Sequence, residues 1–210
     1  MKLYAGNAGS NVSKYFLDEF NVGLCLSFPL KRKPFREYFG DNGAFSAWRN
    51  NTQPDWQKVF AHFQWLQNQK KGDFFVIPDK VTDAKATFAL AHKYWHHVPK
   101  PRYLAIQDGM EGIDGQIRLM APNIQGLFIG GTKPWKMAFL PKWVELARFL
   151  GLKIHVGRIG TTADLITCHK AGVNSVDSTS WGRNEITMNN GIGGSWNHVV
   201  RYWDWVRHGP

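Results

Sequence analysis

Cysteine is nearly absent from this chain: Cys25 and Cys168 are the only two in 210 residues, and neither sits in a CxxC or Cys/His ligand spacing. That scarcity excludes a zinc ribbon or finger and a disulfide-stapled secreted scaffold, and it fits a reducing compartment. Long apolar runs are missing too. No stretch approaches the ~20 residues that cross a bilayer, and the opening MKLYAGNAGSNVSKYF lacks the apolar segment of a signal peptide. A soluble, cytoplasmic protein without a membrane partner is expected. Acidic residues are few, 16 Asp and Glu against 26 Lys and Arg, for a formal charge of +10. Such a surplus points to a polyanion, most often nucleic acid. The chain has no low-complexity tract, no internal repeat beyond a strand–helix period and no phosphate-cradling Walker loop, which FIGGTK does not replace. Nor do the eight histidines form a ligand set. His92, His96 and His97 fall on or just past one predicted helix and His155 within a predicted strand, so satisfied or exposed roles are expected for them.

Core-forming residues are abundant. At 43% hydrophobic, 14% aromatic and 20% charged residues, the chain has the composition of a folded protein, and its length suits a single domain over residues 1–210. Short apolar runs at Lys2–Ala5, Gly23–Phe28, Arg36–Phe39, Phe74–Ile77, Tyr103–Ile106, Gly126–Ile129, Lys153–Val156 and Ser175–Val176 read as eight strands. Between them, helical spacing or capping signals mark Asn11–Phe20 behind Ser10, Pro54–Lys71, Thr82–Trp95, Gly115–Met120, Pro141–Leu150 with its proline first, and Thr161–Lys170 closed by Ala171-Gly172. The tail Ser195–Pro210 reads as a last helix packing Val199, Trp203 and Val206. Eight strand–helix units imply an α/β fold, a compact (β/α)8 TIM barrel, with a partly open or abbreviated barrel as the competitor. The segment PLKRKP over Pro29–Pro34 cannot form a full second helix.

In such a barrel, reacting groups stand at the carboxyl ends of strands. That rule selects Asp41, Asp79, Gln107, Asp108, Gly130, Gly131, Arg158 and Asp177. Converging carboxylates serve nucleophilic and acid–base chemistry at an electrophilic carbon, usually the anomeric carbon of a sugar, and a Mg²⁺ site is their rival use.

Taken in order, these strand ends resemble the motif series of the tRNA-guanine transglycosylase (queuine tRNA-ribosyltransferase) superfamily. FGDNGAF (39–45) is similar to its DSGGF/Y segment, VIPDKVTDA (76–84) to its DxxT/P segment and AIQDG (105–109) to IVQGG. FIGGT (128–132) resembles IGGL, HVGRIG (155–160) resembles MGVG, and AGVNSVDSTSWGR (171–183) resembles GVDMFDCVxPTR. The resemblance implies Asp177 as nucleophile and Asp41 as general acid/base. It further implies Phe45 stacked on the base, Asp79 accepting from the N1–H and exocyclic amine of a guanine-like ring, and Gln107 with the Gly131 N–H bonding its carbonyl oxygen beside Gly130. Val156 stands where the family often has Met. The family's zinc subdomain, with three cysteines and a histidine, has no counterpart, and Asp108 replaces a family glycine. The expectation is therefore the reduced, often phage-encoded branch, which exchanges guanine in DNA for a free 7-deazaguanine such as preQ0. No metal or cofactor is expected, and host cytoplasm is the setting if the gene is viral. Lys133, Lys136, Arg158 and Arg183, with Lys31, Arg32, Lys33 and Arg49, are candidate phosphate contacts around the mouth. The same exchange on tRNA, a non-catalytic nucleic-acid-binding barrel and a hydrolytic N-glycosidase are the alternatives.

Overall fold

Short strands with apolar residues on both faces need cover on both sides, and helices laid outside a closed sheet provide it. The computed structural model of the protein describes residues 1–6, 11–29, 32–181 and 194–209. Its strands are β1 (Lys2–Ala5), β2 (Gly23–Ser27), β3 (Tyr38–Asp41), β4 (Phe74–Val76), β5 (Arg102–Ile106), β6 (Gly126–Ile129), β7 (Lys153–Val156) and β8 (Ser175–Ser178). They pair in sequence order, all parallel, and four residue pairs from Lys2↔Ser175 to Ala5↔Ser178 join β8 to β1. The chain is thus a closed (β/α)8 barrel. Among the described residues the helices are α1 (Asn11–Glu19), α2 (Ala44–Arg49), α3 (Trp56–Gln69), α4 (Ala84–Tyr94), α5 (Asp114–Met120), α6 (Lys133–Phe149), α7 (Thr162–Ala171) and α8 (Asn197–His208). None is long and apolar enough to cross a membrane.

Alternation along the strands separates two cores. Outward residues such as Leu24, Leu104, Leu127, Ile154 and Val176 pack under the helices. Inward residues Tyr4, Cys25, Phe39, Phe74, Val76, Tyr103 and Ala105 fill the barrel, with Phe128 against them. This filling is largely aromatic. Phe74 stacks on Phe39 at 4.7 Å and on Tyr103 at 4.0 Å between ring centroids. Rings of this size fit only where a neighbouring strand gives up its side chain: a Cβ on Gly126 would lie 2.5 Å from the Tyr103 ring. At the amino end of the barrel, the Tyr4 hydroxyl donates to Asp73 at 2.8 Å, and Lys2 ion-pairs with the same carboxylate at 3.0 Å.

Several element limits differ from expectation. β3 begins two residues after Arg36, because the Arg36 side chain turns outward to Asp18 at 2.8 Å and pairing with β2 runs from Leu24↔Tyr38 to Ser27↔Asp41. β8 extends two residues past Val176, following β1 to its end. Asp83 is the cap of α4 and not part of its first turn, accepting from Ala86 N–H at 2.9 Å. The Pro141–Leu150 helix is the second half of α6, which starts around Pro134; Pro141 lies inside it, exposed, so only one backbone bond is lost. α2 carries no periodic signal to read. On α8 the buried positions are Val199 and Tyr202, whereas Trp203 is half-buried and Val206 exposed, because Tyr202 bonds His169 of α7 at 2.8 Å and sets the rotation. Ser10, the expected cap of α1, lies outside the described residues. The β2–β3 connection holds no helix among its described residues, which makes the barrel abbreviated there.

Gly126→Ala should destabilise the protein by about 1–3 kcal/mol, because Tyr103 is held by Phe74 and cannot retreat. Urea unfolding measures this, and an unchanged midpoint would show spare room in the aromatic filling.

Candidate active site

At the carboxyl ends of the strands the aromatic filling stops and a cavity of ≈ 310 Å³ opens, near the lower limit for a small-molecule site at roughly 300–1,000 Å³. Phe39, Phe128 and Cys25 line it together with Asp41, Asp79, Gln107 and Asp177. Phe45, Gly130, Gly131, Arg49, Gly157 and Arg158 complete much of the wall.

The segment after β3 explains how one side is built. Asp41 ends the strand pointing inward. Asn42 follows, its side-chain oxygen accepting from Ala44 N–H at 2.8 Å, which starts α2. Gly43 between them has φ 78°, and a Cβ there would lie 2.5 Å from the Phe28 carbonyl oxygen, so this turn requires glycine. α2 then carries Phe45 and Arg49 to the mouth.

Asp79, 6% exposed, is held by two amides: Asn42 Nδ2 donates to Oδ1 at 2.7 Å and Gln107 Nε2 to Oδ2 at 2.6 Å. Burial pushes its carboxyl up to about 7; the Asn42 bond pulls it back, the Asp41 charge adds to the rise, and Gln107 opposes it. Burial also raises Asp41 above the usual carboxylate range. The Ser27 hydroxyl offsets part of that, and the Asp177 charge adds to it. Asp177 sits within β8, 4% exposed, and its Oδ1 lies 3.0 Å from His155 Nε2. Among the described residues no Lys or Arg forms an ion pair with Asp41, Asp79 or Asp177. No three His, Cys, Asp or Glu side chains among them are grouped to hold a metal ion.

Of the expected site residues, Asp41, Phe45, Asp79, Gln107, Gly130, Gly131, Arg158 and Asp177 share this cavity. Val156 does not: inward and outward positions alternate, and it faces the helices, fully buried, while Gly157 takes the cavity position. Lys133 is engaged by Asp164 at 2.6 Å. Lys136 is 1% exposed, its ammonium donating to the Gly157 carbonyl, and burial lowers its pKa to about 8. Neither lysine lines the mouth. Arg183 and Lys31 lie outside the described residues. The Gly131 N–H, expected to face a ligand carbonyl, donates to Gln107 Oε1 at 2.9 Å, which leaves the second Gln107 N–H for that role. Asp108 has a structural use: it accepts from the Thr132 N–H at 2.8 Å and hydroxyl at 2.6 Å, holding the start of α6.

Two roles, those of Asn42 and His155, went unread in the sequence, as did one contact of the expected residue Arg158. Asn42 organises both Asp79 and the turn into α2, and its place in an Asp-Asn-Gly turn was the available signal. His155 is buried against Asp177; its inward parity in KIHV marks it, although its partner is 22 residues away. Arg158 lies with its guanidinium 3.6 Å from the centre of the Phe45 ring, covering a face of that aromatic.

Comparison with family models finds no match for this sequence, and comparison with curated proteins finds none.

Asn42→Ala removes a donor that opposes the effect of burial on Asp79, so the Asp79 carboxyl should titrate higher in the variant than in the unaltered protein. A carboxyl-carbon NMR titration reads this directly; a lower or unmoved midpoint would mean that Asn42 does not stabilise the ionised form.

Proposed function

We propose that this barrel is a pentosyltransferase that removes guanine from DNA and installs a free 7-deazaguanine through an aspartyl-linked glycosyl-enzyme. The observation that carries this reading is the meeting of Asp41, Asp79, Gln107 and Asp177 in one small cavity floored by aromatic rings. The resemblance of the motif order to the guanine transglycosylases implies base exchange for the same four residues.

The chemistry follows from their environments. An Asp177 carboxylate oxygen attacks C1′ of the nucleotide as the C1′–N9 bond to guanine breaks, and Asp41, raised in proton affinity by burial, gives its proton to the departing base. The incoming base then attacks C1′ through its corresponding nitrogen. The ester C–O bond breaks, Asp177 regains its carboxylate, and Asp41 takes the nitrogen-bound proton. Two inversions leave the anomeric configuration unchanged. Asp79 selects the base, since an ionised carboxylate accepts the adjacent N–H groups of a guanine edge and finds no such pair on adenine. An extruded nucleotide is needed, because duplex stacking hides C1′ and the Watson–Crick edge. Arg49 and Arg158 at the mouth suit the flanking phosphates. DNA is favoured over tRNA because the chain lacks the cysteines of the zinc subdomain associated with tRNA substrates.

The test offers guanine-labelled single-stranded DNA, duplex DNA, tRNA or guanosine, with and without preQ0. The reading predicts label release from DNA that depends on the added base and disappears in Asp177→Ala, with nucleic-acid binding retained. Release without an acceptor would indicate a hydrolase, and retained label with binding a non-catalytic barrel.

Base affinity should depend on pH. A guanine edge needs Asp79 ionised, and burial pushes that carboxyl up to about 7. Below that value the dissociation constant should fall about tenfold per unit rise in pH, levelling off above it. Equilibrium binding of preQ0 from pH 5 to 8 measures this, and a flat profile would remove Asp79 from base recognition.

A further inference from the structure

One oxygen of Asp177 is already occupied in the folded protein. His155 Nε2 lies 3.0 Å from Asp177 Oδ1, and the other ring nitrogen, Nδ1, lies 2.9 Å from Ser175 Oγ. The three side chains stand on neighbouring strands, His155 in register with Ser175, and all project into the barrel. They are shut away from solvent, at 0%, 6% and 4% exposure for His155, Ser175 and Asp177. The imidazole cannot rotate freely. It stacks on Phe128 with centroids 5.0 Å apart and planes 13° apart, and it packs against Phe39 at 4.9 Å and Phe74 at 5.1 Å.

These contacts fix the hydrogen positions. Burial keeps the imidazole below its usual pKa, against the opposing pull of Asp177 and with a small push from Lys136 in the same direction as burial. At neutral pH a ring held below its ordinary value is neutral, with one N–H and one bare nitrogen. A carboxylate only accepts, so the N–H is on Nε2 and donates to Asp177. The Ser175 hydroxyl then donates to Nδ1, and the chain of donors runs in one direction.

We propose that His155, held by Ser175, is the positioning residue for Asp177: it pins Oδ1 and leaves Oδ2 as the atom that bonds to C1′. This rests on the reading of Asp177 as nucleophile. The same hydrogen bond bears on both halves of the reaction. It is stronger to a carboxylate than to an ester carbonyl, so it favours breaking of the ester C–O bond as the electron pair returns to Asp177. Without it the glycosyl-enzyme persists.

The experiment compares His155→Leu, His155→Gln and Ser175→Ala with the unaltered protein, following base exchange and the amount of covalent adduct under steady turnover. His155→Leu should lower kcat about 10- to 100-fold, the usual cost of losing an orienting partner. KM for DNA should stay within about threefold, because no substrate contact is lost. The fraction of enzyme trapped as adduct should rise. His155→Gln keeps an N–H donor and should recover much of the loss, and Ser175→Ala should fall between. If His155→Leu does not fold, judged by its thermal transition, the Gln and Ala variants decide the matter by the same readouts. Unchanged kcat in the folded variants, or a loss in which adduct and turnover decline together without rescue by Gln, overturns the assignment. Exchange that survives Asp177→Ala overturns the nucleophile reading itself, which keeps the two failures apart.

Discussion

Asp41, Asp79 and Asp177 face one cavity of ≈ 310 Å³ although the chain carries only 16 acidic residues and a large basic surplus. Burying carboxylates is costly unless something bonds them, and the usual answer is a cation. Here the bonds come from uncharged donors: Asn42 and Gln107 on Asp79, Ser27 on Asp41, and His155 on Asp177. Neutral donors satisfy the lone pairs without lowering proton affinity as an adjacent ammonium or guanidinium would. The result is a site in which Asp79 titrates at about 7 and Asp41 is raised as well, so proton transfer near neutral pH is within reach. The lysines are placed elsewhere: Lys133 pairs with Asp164 on the outside, and Lys136 holds the Gly157 carbonyl from beneath.

The aromatic interior sets the position of this cavity. Branched aliphatic layers fill most such barrels. In this one, the stack of Phe39, Phe74 and Tyr103 fills the barrel interior beside the cavity, while Gly23 and Gly126 give the tyrosines space. The stack also grips His155 and so transmits its rigidity to Asp177. Economy of length comes from the β2–β3 connection, where two prolines and no described helix take the chain back to the start of β3.

Much of this was legible in the sequence for a definite reason. Strand ends in a closed parallel barrel converge whatever the helices do, so reading Asp41, Asp79, Gln107 and Asp177 as strand-end residues sufficed to place them together. Register and rotation were not legible. Val156 and Gly157 are adjacent in sequence, yet strand alternation sends one to the helices and the other to the cavity. Lys136 sits on a helix whose start the sequence conceals, because Pro141 resembles a first-turn proline; with Pro134 in the first turn, its inward face becomes readable. His155 looked like any satisfied histidine, since its significance lies in a pairing across strands and not in its own segment. Asp108 serves α6 through Thr132, a pairing between two loops that its own segment does not show.

In the proposed base exchange, Asp177 forms an ester with the sugar. Acid quenching of the protein during turnover on guanine-containing DNA, followed by intact-mass measurement and peptide mapping, tests it most directly. The expected result is an adduct of the guanine-free DNA on the peptide containing Asp177, discharged by added free base. Turnover with no adduct, or an adduct carried by Asp41, would contradict it.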